Sequence, residues 1–230
     1  MAEYRLEVDP SLAPCPTRAA IVWGEGIEPP TPTIDMPGFL AETVGRVQEV
    51  GEAFVPQETR GRVRSILRHG KYKPSGRGKP ASEFLLRAAL AGTFPVVNGP
   101  VDANNAVSLE SGLPGSIFDA DLSGTHLLLR RGLPGESYVF NPSGQSIDLE
   151  DLLLVCRQTP MGWEPCGNAV KDSMATKIGP GTRNVVAVVY APADEPIDAL
   201  GAWASRFAEL LASHCGAASV GFRVVTEDSP

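Results

Sequence analysis

The chain has 230 residues, with 20 Lys and Arg against 27 Asp and Glu and a formal charge of −7, a length that fills one large domain or two small ones and excludes a mini-protein held by staples. Its 24 Gly and 21 Pro exceed the usual share of turn formers but fall short of a low-complexity chain. No apolar run approaches the roughly 20 residues of a membrane span, and the acidic, polar N-terminus lacks a signal or transit peptide pattern, so the cytoplasm is the expected compartment.

In chain order, residues 4–8 and 19–23 read as strands, separated from the next element by a proline-rich connection, EGIEPPTPTIDMPG, expected to be exposed and irregular. From residue 39 to 54 the apolar side chains Leu40, Val44, Val47, Val50 and Phe54 recur at three or four, the period of a helix. A basic stretch follows in which Val63, Ile66 and Leu67 share a helical face, and Ser82 is the expected N-cap of a helix over 83–91 that turns Phe84, Leu85 and Ala88 inward. Beyond Gly92 the pattern changes to short β-like runs at 95–98, 126–130, 138–140, 152–156 and 185–190. The run VVAVVY is apolar throughout, as in a central strand buried on both faces. Pro196 opens the clearest helix, with the stripe Ile197, Leu200, Trp203, Phe207, Leu210 and Leu211 and a stop at Gly216, and a last strand at 220–225 precedes a polar tail. Helices near the two ends of a β-rich middle predict an α+β fold.

The four cysteines (Cys15, Cys156, Cys166, Cys215) and three histidines (His69, His126, His214) recur at no ligand spacing, so no metal and no cofactor are expected. Walker, GxSxG, HExxH and dinucleotide-binding patterns are absent. Two polar groups stand out within turn-punctuated apolar sequence. One runs from Asn98 through Asp102, Asn104, Asn105, Ser108, Glu110, Ser111 and Ser116 to Asp119, read as a loop whose Asn and Asp either satisfy turn backbones or form a site. The other is Asn168, Lys171, Asp172, Ser173, Thr176 and Lys177, ahead of the buried strand.

Charge is uneven along the chain. Residues 60–79, RGRVRSILRHGKYKPSGRGK, hold eight of the 20 basic residues and no acid. The acidic average speaks against a general nucleic-acid binder, whereas this segment suits phosphates.

The run VDANNAVSLESGLPGSIFD resembles the editing module, the paired third and fourth B domains, of the β subunit of bacterial phenylalanyl-tRNA synthetase, and the free-standing proteins made of that module alone. SEFLLRAALAG before it, LLLRRG with Gly135 and Glu136 after it, and GNAVKDSMATKIGPGTRNVVAVV, with Lys171 where an arginine is usual, extend the resemblance over 61–192. Residues 1–60 and 193–230 are then flanking elements of the same compact domain. The resemblance implies a β-rich central module with flanking helices that hydrolyses the ester of a mischarged aminoacyl-tRNA in trans. Its partners are the tRNA acceptor end and an amino-acid moiety, with no membrane and no metal. Such a site needs no protein nucleophile, since a held water and the neighbouring ribose hydroxyl suffice. The module's threonine and histidine positions become Asn104 and Ser116, which with Asn105 form the implied catalytic set. Ser108, Lys171, Asp172, Ser173 and Thr176 become substrate-binding. The glutamate that reads tyrosine's hydroxyl falls on Val186 or Val188, so selection by that hydrogen bond is not expected. Arg60, Arg62, Arg64, Arg68, Lys71 and Lys73 are the expected RNA contacts. A non-catalytic RNA-binding or amino-acid-binding module on the same fold is the alternative.

Overall fold

The computed structural model describes residues 3–225. In chain order it runs β1 (Arg5–Val8), β2 (Thr17–Glu25), α1 (Gly38–Val50), α2 (Gln57–Leu67), α3 (Ala81–Leu90), α4 (Gly99–Ser111), β3 (Gly115–Asp119), α5 (Ala120–Ser123) and β4 (His126–Arg131). It continues through β5 (Ser137–Val139), β6 (Ser146–Asp148), β7 (Leu153–Thr159), β8 (Gly162–Asn168), β9 (Asn184–Pro192), α6 (Ile197–Cys215) and β10 (Ser219–Val225). The fold is α+β. The polar tail expected after the last strand lies outside the described residues.

Two four-stranded sheets stack face to face. One is antiparallel in the order β10-β2-β9-β3; the other runs β1-β4-β7-β8, with β1 and β4 parallel. Strand β9 carries VVAVVY and explains why every position is apolar. Val185, Ala187, Val189 and Ala191 pack with Leu40, Leu109, Phe207 and Leu211 in a helical layer, while Val186, Val188 and Tyr190 pack with Leu127, Leu129 and Val155 of the second sheet. A strand covered on both faces has no polar side to alternate with. The flanking segments complete this sheet, because β2 pairs with β9 along its length and β10 closes the outer edge.

Helix α6 buries Leu200, Phe207, Leu210 and Leu211 and ends at Gly216, whose φ of 65° is the left-handed conformation in which glycine avoids a Cβ penalty. Ile197, expected in that stripe, is 48% exposed at the open first turn.

Three expectations are corrected. Residues 98–111 are not a loop but Asn98 followed by α4. Asn98 caps the helix by accepting a hydrogen bond from the Val101 amide at 3.2 Å, Pro100 occupies the first turn, and Gly112 terminates it at φ 74°. The helices are therefore not confined to the ends of the chain. Ser82 is not an N-cap, since Pro80 holds that position and Ser82 is buried in the first turn of α3, whose inner face is Leu85, Leu86 and Ala89. Residues 95–98 form no strand. They lie against the proline-rich connection, which is pinned rather than loose: the Thr33 amide donates to Val97 O at 2.9 Å, and the Thr33 hydroxyl donates to the buried Asp102 carboxylate at 2.5 Å.

Candidate functional site: a polar cavity at the edge of the sheet

Strand β3 is the free edge of its sheet, and α4 packs beside it. Val101, Asn104, Asn105 and Ser108 recur on α4 at intervals of three and four, so they share one helical face. That face lines a cavity of about 290 Å³, closed by Gly115 and Ile117 of β3, Leu85 of α3 and the segment containing Asn168, Lys171, Asp172 and Lys177.

Asn104 is buried, and its Nδ2 donates to Gly115 O at 3.4 Å while Oδ1 has no protein hydrogen-bond partner among the described residues. The close approach exists because residue 115 is glycine. A Cβ there would stand 2.5 Å from Oδ1. One turn along the same face, Ser108 is buried and its Oγ is likewise unpartnered. Buried polar atoms without partners are uncommon because each forfeits its bonds to water. Two of them on one wall of one cavity mark a place built to receive hydrogen bonds.

Behind the far wall lies a polar network that holds its shape. Asn168 Oδ1 accepts from the amides of Val170 and Lys171 at 2.8 and 3.0 Å, its Nδ2 donates to the Tyr138 hydroxyl, and that hydroxyl donates to Lys171 O at 2.6 Å. Lys171 is thus held by its own backbone on both sides. Its Nζ sits 3.6 Å from the Phe140 ring centroid, and desolvation followed by the nearby Arg77 charge lowers its pKa. Asp172 Oδ2 accepts from the Ile117 amide at 3.2 Å, satisfying an edge donor of β3, while Oδ1 is unpartnered. Burial raises the Asp172 pKa from 3.8 to about 6, opposed by Lys177 and by its hydrogen bonds. Gly167 lets this carboxylate come close, since a Cβ there would lie 2.6 Å from Oδ1 and would also strike the Phe118 ring.

The expected site residues therefore divide. Asn104, Asn105, Ser108, Lys171 and Asp172 line the one cavity. Ser116 does not. It is fully buried facing the second sheet, with its Oγ bonded to Asn168 O at 3.1 Å and to the Tyr190 hydroxyl at 3.0 Å. Val186 and Val188, also on the inter-sheet face of β9, have no exposed surface. Ser173 and Thr176 are buried, the first accepting from the Ala175 amide and the second donating to Cys166 O. These two shape the loop from below.

Four of the eight cations of the basic stretch are paired with acids in place. Arg60 pairs with Glu52, Arg62 with Asp194 and Glu195, Arg64 with Glu83, and Lys71 with Asp148 and Glu150. Arg68 and Lys73 are exposed and make no carboxylate pair among the described residues, and Lys73 Nζ donates to Gly70 O at 3.0 Å. Sequence reading left Arg77, Phe84, Phe140 and Tyr138 out of the site. Arg77 and Phe140 flank a second hollow of about 460 Å³ that shares Lys171 with the first region. The signal for Arg77 was its setting in Pro-Ser-Gly-Arg-Gly, where no helix periodicity commits the side chain to a face.

Fold and site together define an α+β protein with a small polar cavity opening beside a cationic rim. Among the described residues no group of three or more His, Cys, Asp or Glu is placed to hold a metal ion, and no helix is long and apolar enough to cross a membrane. No family model and no curated protein matches the chain. Among solved structures, an N-terminal fragment of the phenylalanyl-tRNA synthetase β-subunit from Pyrococcus horikoshii is similar at a TM-score of 0.45 and 12% identity, a weak likeness of fold. The match covers 97% of this chain and 52% of that one, so the chain spans about half the length of the fragment.

Proposed function

We propose that the protein hydrolyses, in trans, the ester of mischarged aminoacyl-tRNA, and that residues 61–192 with both flanks act as one unit. The observation that carries this reading is the pair of unpartnered acceptors, Asn104 Oδ1 and Ser108 Oγ, in a cavity of amino-acid size beside a cationic rim. The sequence blocks that resemble a synthetase editing module support it.

In this reading Asn104 and Ser108 accept hydrogen bonds from the α-ammonium group and from the attacking water, and Asn105 donates to the ester carbonyl. Water oxygen bonds to the carbonyl carbon, and the acyl–oxygen bond to the ribose breaks. The ribose oxygen takes one proton, the amino acid leaves as a carboxylate, and the second proton passes to solvent. Holding ester and water together supplies the advantage, since an oriented pair reacts far faster than a free one. Ser116, tied into the inter-sheet network, positions the wall, and its implied place beside the ester passes to Ser108.

Incubation with a panel of mischarged tRNAs tests the proposal. Faster loss of one amino acid than in buffer, lost in Asn104→Ala, supports it; no acceleration with any member refutes it. One observation favours a non-catalytic binding module as the second reading: Ser116, at a position implied to stand beside the ester, is tied instead to Asn168 O and the Tyr190 hydroxyl away from the cavity. Thermal stabilisation by tRNA or an amino acid without turnover would select that reading.

A further inference from the structure

Among the described residues the two four-stranded sheets have four outer strands, and three of them resist pairing with a further strand. In β3 the outward groups are occupied, the Ile117 amide by Asp172 and Gly115 O by Asn104. Strand β8 is interrupted by Pro165 and by a shift of register against β7, and β1 is only four residues long. Proline, irregular register and short length are the usual guards of a sheet edge, whose unpaired N–H and C=O groups otherwise recruit another chain.

Strand β10 has none of these guards. Its seven residues, SVGFRVV, contain no proline and pair with β2 in unbroken register. Alternate residues of such a strand turn their N–H and C=O away from the neighbour they pair with, and no loop or side-chain hydrogen bond reaches residues 220–224 among the described residues.

The side chains of this edge complement one another. Val220 and Val224 are half-buried on the face that α6 covers, and Phe222, between them on that face, is 40% exposed. On the opposite face Gly221 bears no side chain. The Trp23 indole of β2, stacked on Tyr4, leans across it toward the edge, since a Cβ on Gly221 would lie 2.4 Å from the ring. Arg223 is exposed on that face with no carboxylate pair among the described residues, and Glu25 is half-buried on it, two residues beyond Trp23.

We propose that β10 is a self-association edge: two copies pair antiparallel about a two-fold axis through Phe222, joining their sheets into one of eight strands. In this register Phe222 faces Phe222, Val220 faces Val224 and Arg223 faces Gly221. Arg223 of each copy crosses the bare Gly221 of the other to reach the Trp23 indole and the Glu25 carboxylate, a cation–π contact and an opposite charge that the symmetry makes twice. An axis through Arg223 would instead set like charges face to face. A second copy fits better than an unrelated strand because the one edge supplies both the cation and its receptor. The assembly closes at two, since the outer strands that remain are the guarded β3 edges. The polar cavities lie at those far edges and stay open, so the inference is independent of what they bind.

Sedimentation of the full chain across a dilution series tests this. One strand pair with a few side chains is smaller than a standard interface, so the mass is expected to rise with concentration from 24.3 kDa to twice that value and to stop there. Phe222→Lys, at an exposed position, brings two charges together on the axis and should weaken association about tenfold. Its melting temperature should match the wild type where both are monomers. Cross-linking under a mild oxidant reads the register. Phe222→Cys should form a disulfide-linked dimer, its two Cα atoms about 4.5–5.5 Å apart across the axis, whereas Val224→Cys, with its copies roughly 14 Å apart, should not. A chain that is monomeric throughout, one that assembles beyond the dimer, or a dimer indifferent to Phe222→Lys overturns the proposal. An edge that takes a strand from a different protein would give the first of these results.

Discussion

Asn104 and Gly115 form a pair that tolerates little change. Gly115→Ala would place a methyl group 2.5 Å from the Asn104 Oδ1, and β3 is fixed by its pairing with β9, so the amide is the part that must turn. We expect Gly115→Ala to lose aminoacyl-tRNA hydrolysis about as severely as Asn104→Ala, read in the same deacylation assay. Asp172 makes a separate prediction about stability. Its folded pKa of about 6 lies above its usual 3.8, so the native state binds the proton more tightly and Asp172 favours folding most at low pH. That contribution is lost as pH rises from about 4 through 6. Asp172→Asn should therefore gain on the wild type by about 1–3 kcal/mol across that window, measured as the difference between two denaturation series; a difference independent of pH contradicts the assignment. At this scale the sequence was partly legible. It picked out Asn104, Asn105 and Ser108 in one polar group and Lys171 in a second, but a strand turns alternate side chains to opposite faces. Spacing alone did not reveal that Ser116, Val186 and Val188 face the second sheet while Gly115 and Ile117 face the cavity.

Helix α4 is the element on which the site depends, and it is the element that periodicity missed. Its buried residues include Pro100, Asp102, Asn104, Ala106, Ser108 and Leu109, so it is enclosed on most sides and shows no apolar stripe against a polar one. Its boundaries were nevertheless written in the chain: Asn98 as cap, Pro100 in the first turn, Asp102 near the positive end of the dipole and Gly112 as stop. By contrast α6 is covered on one side only, and its stripe was legible apart from Ile197, which is exposed in the first turn. Removing the cap tests how α4 is held. Asn98→Ala is expected to cost about 1 kcal/mol, seen as a melting temperature lower by about 2–4 °C, with the Thr33 and Val97 bonds to Asp102 retaining the start of the helix. Gly167→Ala should cost more, because the added Cβ meets both the Asp172 carboxylate and the Phe118 ring, and Phe118, fully buried in the inter-sheet layer, has no room to move.

For the whole molecule, charge placement matters more than net charge. Residues 60–79 carry eight cations, but Arg60, Arg62, Arg64 and Lys71 are held by acids from the connection after α1, the start of α6, α3 and the β6 region. The linear sequence disclosed the cluster and concealed its partners, the farthest of which, Glu195, lies 133 residues beyond Arg62. Lys73 and Arg77 line the hollow beside Phe140, and Lys171 is shared by that hollow and the polar cavity, which Lys177 also lines. With about three phosphate contacts to a single-stranded end, log affinity for tRNA should fall with log salt at a slope near −2, measured by filter binding. A slope near −5 would mean that the paired arginines open to bind RNA. The sheets behind the site explain why so small a cavity keeps its shape: β9 is buried on both faces, and the flanks supply its neighbour β2 and, beyond it, β10. The account stands most directly on one measurement, the release of amino acid from a panel of mischarged tRNAs by the wild type and by Asn104→Ala. It predicts hydrolysis of at least one ester well above the buffer rate, reduced at least tenfold in the variant. Hydrolysis that is absent throughout, or equal in both proteins, contradicts it.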